Sequence, residues 1–120
     1  MSGNFEALVE DAQQIIQWCQ TLLDTSRLTE TQRQDMTAIR HSAKEFLQYA
    51  TNEVQTMTDD TPLSKKQEVR HQLRNYLNIV VGFSRLMVRD LPDNLLMDMA
   101  MVRQIHDTGE HLRTQVDQIQ

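Results

Sequence analysis

An all-α fold, an up-and-down bundle of four helices built as two similar helical hairpins, is what this 120-residue chain predicts. Three observations carry that expectation. Apolar residues recur at alternating steps of four and three through four successive segments, which lines each set along one face of a helix. The chain holds only three glycines and two prolines, so few positions oppose helix formation. The breaks between segments are short and polar, as between antiparallel neighbours in a bundle.

The first segment places Phe5, Val9, Ala12, Ile16, Cys19 and Leu23 on one stripe. The stretch "DTSRLTETQ" then supplies a turn with Thr29 or Thr31 as the N-cap of the second helix, because a hydroxyl there accepts from the helix's free amides. Met36, Ile39, Ala43, Phe46 and Ala50 continue the stripe. "TDDTPLS" breaks the chain near Pro62, and a third stripe follows at Val69, Leu73, Tyr76, Val80, Phe83 and Met87. "RDLPDN" breaks it again near Pro92. The last stripe is Val102, Ile105, Gly109, Leu112, Val116 and Ile119. These boundaries give hairpin one over about 4–57 and hairpin two over about 63–119, within a single domain spanning 1–120.

The hairpins share a register. Adding 64 to the core positions of the first stripe yields those of the third, and adding 66 maps the second stripe onto the fourth up to Val116. Identities such as Ile15/Ile79, Leu22/Leu86 and Ile39/Ile105 fit a duplication, and the heptad common to helical hairpins accounts for the same register. On this alignment the counterpart of His71 is Ala7.

Composition narrows the functional classes. With 12 Lys+Arg against 17 Asp+Glu and a net charge of −5, the chain lacks the concentrated cationic surface that phosphate backbones require, so nucleic acid is not the expected partner. Cys19 stands alone, which excludes an intrachain disulfide framework. No apolar run approaches a membrane span and no cationic leader precedes the first helix, so the expected location is the cytoplasm. His41 on the second helix, and His106 and His111 five residues apart, lack the spacing of a paired metal site. Cys19 and the seven methionines read as packing, and Trp18 as partly buried.

On a helical wheel the third stripe spans about 40° to either side of one direction, and several residues fall opposite it. His71, Arg85 and Arg89 lie about 160° away, Asn78 about 180°, Gly82 about 140° and Asn75 about 120°. An exposed glycine within a helix costs about 1 kcal/mol relative to alanine. Packing within the bundle therefore gives no reason for Gly82, and close approach by a partner gives one.

The order of residues in "HQLRNYLNIVVGFSRLM" resembles the phosphoacceptor box of the dimerisation and histidine-phosphotransfer domain of two-component sensor histidine kinases. That pattern runs His, acidic residue, Leu-Arg, Asn or Thr, Pro-Leu, then Ile-x-Gly-aromatic-Ser-x-Leu. His71, Leu73, Arg74, Asn75, Leu77, Gly82, Phe83, Ser84 and Leu86 stand in register with it. The resemblance is strongest over 69–87. It extends more loosely to "IHDTGEHLRTQV" (105–116), similar to the family's second helix, and to 15–50, which echoes the hairpin without its histidine.

Two positions depart from the pattern. Gln72 replaces the acidic residue that polarises the histidine for attack on ATP, and an amide cannot act as a general base. Tyr76 replaces proline, so the helix is expected to run without a kink. There is also no glycine-rich nucleotide lid. The resemblance therefore implies a histidine phosphoacceptor or receiver-docking module, with no ATP-binding domain and no self-phosphorylation. His71 would be the phosphoacceptor and Asn75 the residue orienting it. Arg74, Asn78, Gly82, Arg85 and Arg89 would meet a response-regulator receiver domain, which brings the Mg²⁺; the chain itself binds no cofactor. The alternative is a degenerate, non-catalytic helical module that dimerises or relays a signal within a larger regulatory protein. Because the two hairpins supply four helices, a monomer is expected over a homodimer.

Overall fold

A computed structural model describes residues 2–25, 27–90 and 96–119. It contains four helices, α1 (Ser2–Thr25), α2 (Glu30–Glu53), α3 (Leu63–Asp90) and α4 (Leu96–Asp117), in an elongated bundle 52 × 21 × 18 Å in extent. Sequential helices pack side by side and α4 returns against α1, while among the described residues the backbones of the diagonal pairs stay apart across the shared core. The fold is the all-α four-helix bundle that the periodicity predicts.

Local chemistry sets the boundaries. Thr29 is the N-cap of α2: its hydroxyl accepts from the Gln32 amide at 3.1 Å, and the Gln32 side chain accepts from the Thr29 amide at 2.9 Å. This reciprocal pair satisfies two otherwise free amides and starts the helix one turn after the α1 stripe ends. At the other end, the Val54 amide donates to Ala50 O at 2.8 Å. The chain then turns through Thr58 to Thr61, where the Thr61 hydroxyl accepts from the Thr58 amide at 2.9 Å. Pro62 precedes α3, where its missing N–H removes no helical bond; its carbonyl accepts from Lys65 and Lys66, each at 3.1 Å. α3 runs unbroken through Tyr76. The expected break at Pro92 lies outside the described residues.

In α2 and α4 the core is the predicted one: Met36, Ile39, Ala43, Phe46 and Ala50 face Val102, Ile105, Gly109, Leu112, Val116 and Ile119, all buried. Phe46 is the bulkiest fully buried side chain, and truncating such a ring to alanine costs on the order of 3–5 kcal/mol. In α1 the predicted stripe needs correction. Leu8, Ile15 and Leu22 are buried with Ala12 and Cys19, while Phe5, Val9, Ile16 and Leu23 are only partly covered. Leu8-Val9, Ile15-Ile16 and Leu22-Leu23 are adjacent apolar pairs, and either member repeats every seven residues, so periodicity fits both rows equally. Packing against both α2 and α4 selects the first.

α3 shifts in the same way. Leu77, Val81 and Ser84 are buried along with Val69, Leu73, Val80 and Met87, whereas Tyr76 and Phe83 are partly exposed at the α2 seam. Tyr76 stacks edge-on against Tyr49, ring centroids 6.0 Å apart, and its carbonyl accepts from the Ser42 hydroxyl at 2.9 Å.

These corrections change the repeat. Leu8, Ala12, Ile15, Cys19 and Leu22 now correspond to Leu73, Leu77, Val80, Ser84 and Met87, an offset of 65 rather than 64. Ile79 and Leu86 are exposed, so they do not correspond to Ile15 and Leu22. The counterpart of His71 becomes Glu6 instead of Ala7.

One close contact fixes the α3–α4 spacing. A Cβ placed on Gly109 would lie 3.1 Å from Val81 Cγ2 and 3.2 Å from Val80 Cγ1. Gly109 therefore lets α4 sit directly against two branched side chains. On α1, burial pushes the Cys19 thiol up to about 12, with Arg40 pulling in the opposite direction. A thiol so protonated is a poor nucleophile at neutral pH.

Candidate functional site

The rotation of the α3 core decides which residues point furthest from the bundle. Averaging the buried positions turns the core direction about 45° toward α4 relative to the stripe expected from sequence. Gly82 and Asn75 then lie within about 20° of the opposite direction, and His71 and Arg89 within about 25°. All four are exposed. They form a line along α3 about 27 Å long at 1.5 Å per residue.

His71 occupies the end of that line nearest the α4 C-terminus, and among the described residues its ring makes no hydrogen bond or ion pair. Asn75 follows one turn later and is likewise without a partner among them. A Cβ on Gly82 would meet nothing within 4 Å, and Gly82 does not adopt a positive φ. Neither packing nor backbone conformation accounts for glycine here.

The remaining sequence-predicted residues lie to one side, on the seam with α4. Arg74 pairs with Asp117. Asn78 Oδ1 accepts from Arg113 at 3.1 Å. Arg85 bonds Glu110 at 3.2 Å, and Glu110 also accepts from Arg113 at 3.2 Å. Arg89 instead turns to Asp90, 3.2 Å away on its own helix. Arg74, Asn78 and Arg85 thus tie α3 to α4, while His71, Asn75, Gly82 and Arg89 form the outward line. Exposed pairs of this kind contribute at most about 1 kcal/mol each, so an approaching acidic surface can compete for the arginines.

Two residues of this face escape a stripe-based reading. Ile79 and Leu86 are 42% and 44% exposed, three residues before and four after Gly82. They flank the bare backbone with apolar surface. Their signal in the sequence was their absence from the core heptad, masked by the duplication alignment that paired them with Ile15 and Leu22.

Other histidines are engaged locally. His41 Nε2 lies 2.7 Å from Glu45, and His106 Nδ1 lies 3.2 Å from Asp107. Gln115 meets the His111 ring at 3.1 Å. Among the described residues no group of three His, Cys, Asp or Glu side chains is placed to hold a metal ion, and no helix is long and apolar enough to cross a membrane. Set against protein-family models, curated proteins and solved structures, the chain matches none of them.

Proposed function

We propose that this protein is a two-component signalling module in which His71 accepts a phosphoryl group from, or docks, a response-regulator receiver domain. The observation that carries the reading is the outward line itself: an unpaired imidazole, an unpaired amide one turn on, and a glycine with open space over its backbone. The resemblance over 69–87 supplies the chemical context.

The chemistry asked of this chain is limited. The lone pair of a neutral His71 ring nitrogen attacks the phosphorus of an aspartyl phosphate; the N–P bond forms, the P–O bond to the aspartyl carboxylate breaks, and the ring's proton leaves to solvent. His71 is exposed and, among the described residues, makes no contact that would block approach to phosphorus, as in-line transfer demands. The receiver supplies the acidic pocket and its Mg²⁺. Asn75 sits about 6 Å along the helix from His71, within reach of orienting the ring or a water. Arg89 ends the line and Arg74 and Arg85 border it, offering positive charge to an acidic partner surface. Gln72 cannot replace the missing acid, which agrees with a role downstream of another phosphodonor. One chain closes its own four-helix core, so a monomer with a single phosphoacceptor, acting in the cytoplasm, is part of the proposal.

Incubating the protein with a panel of phosphorylated receivers tests it. Expected is transfer to the wild type, none to His71→Ala, and none from ATP. Absence of transfer from every receiver, or equal labelling of His71→Ala, would overturn phosphotransfer.

Ile79 and Leu86 favour a second reading, in which the same apolar face dimerises or relays a signal within a larger regulatory protein. Light scattering across a dilution series separates the two. A dimer mass that persists on dilution, combined with failure of transfer, selects the second.

A further inference from the structure

A cavity of about 730 Å³ opens at the end of the bundle where α1 begins and α2 and α4 finish. Its size lies within the range of sites that enclose small organic molecules. Phe5, Val54, Met57 and Ile119 provide apolar walls. Glu6 and Asp59, both exposed, are the carboxylates of the lining, and among the described residues no lysine or arginine lines it. The carbonyl ends of α2 and α4 and the amide ends of α1 and α3 meet at this end of the bundle, so the helix dipoles largely cancel and the two carboxylates set the charge of the lining.

We infer that this cavity is a binding site for a small amphipathic cation, an apolar body carrying an ammonium or similar N–H donor. The apolar walls take the body, and the two carboxylates attract the charge. The site is separate from the outward face of α3. It shares the α4 C-terminal turn with the region of His71, since Ile119 lines the cavity while its carbonyl accepts from Arg70 at 3.1 Å.

The test is an NMR titration of the ¹⁵N-labelled full chain with two probes of one apolar body, 2-(1-naphthyl)ethylamine and 1-naphthylacetate. Expected is saturable binding of the amine, with amide shifts concentrated in 5–8, 54–59 and 111–119, and weaker binding of the acid. The double variant Glu6→Lys/Asp59→Lys changes only exposed residues; with its melting curve unchanged, it is expected to lose amine affinity by about threefold or more. No saturable amine binding, shifts centred on Ile79 and Leu86, equal binding of the acid, or an unaffected double variant would each overturn the inference.

Discussion

The seam and the outward line of α3 carry similar residue types for different reasons. On the seam, Arg74, Asn78 and Arg85 each have a partner on α4, and the close approach of the helices is set by Gly109 against Val80 and Val81. On the outward line, His71 and Asn75 have no partner among the described residues, and Gly82 faces open space. The two glycines make the difference plain. Gly109 is required by a neighbour inside the molecule; no neighbour inside it requires Gly82. A polar residue or glycine that the fold explains says little about function, so evidence for a partner lies in those that remain unexplained once the fold's own contacts are subtracted.

The largest expected effect tests the core direction on which this division rests. Leu77→Ala removes a fully buried side chain and is expected to cost about 2–5 kcal/mol, read by chemical denaturation. The stripe drawn from sequence alone puts Tyr76 in that place. A cost for Leu77→Ala well below about 1 kcal/mol would restore the stripe and move Asn75 away from the outward line.

Gly109→Ala comes next. Valines in helices are confined largely to one rotamer, so Val80 and Val81 have little freedom to retreat from a methyl group 3.1–3.2 Å away. Overpacking of about 1–3 kcal/mol outweighs a helix-propensity gain of about 1 kcal/mol. The expected outcome is a net loss near 1 kcal/mol, measured by thermal or denaturant unfolding. A stabilised variant would show that the seam yields and that Gly109 is no more constrained than Gly82.

Gly82→Ala should have the opposite sign. With nothing within 4 Å of the new methyl, only propensity changes, and stability should rise by up to about 1 kcal/mol. Gly82→Lys should leave the fold intact and, under the proposed function, weaken receiver docking. Destabilisation by either substitution would place Gly82 in packing and remove it from the candidate site.

How much of this was legible beforehand depended on whether one apolar row stood alone. In α2, Met36, Ile39, Ala43, Phe46 and Ala50 have no competing row, and the stripe from sequence is the buried one. In α1 and α3, adjacent apolar pairs offer two rows about 100° apart, and nothing local chooses between them. Contacts with two neighbouring helices do. The candidate line survived this error because His71, Asn75 and Gly82 lie far enough from both core directions to remain exposed. The roles of Arg74, Asn78 and Arg85 were not legible, since their α4 partners Asp117, Arg113 and Glu110 are 25 to 43 residues away in sequence. The cavity was hidden for the same reason: its walls come from three separate segments.

The smallest expected effect bears most directly on whether the seam also serves a partner. Arg85 and Glu110 are 66% and 38% exposed, and Glu110 keeps Arg113 at 3.2 Å when Arg85 is removed. No buried charge is stranded, so Arg85→Ala should cost no more than about 0.5 kcal/mol. That difference should shrink further as salt screens the pair. Melting curves of wild type and variant at low and high ionic strength measure both quantities. The same substitution should slow association with a receiver at low salt, because a rim charge acts mainly on the encounter rate. A loss of stability well above 1 kcal/mol would assign Arg85 to the fold as firmly as Gly109. A small loss with unchanged association would leave His71, Asn75, Gly82 and Arg89 to carry the interface without the seam.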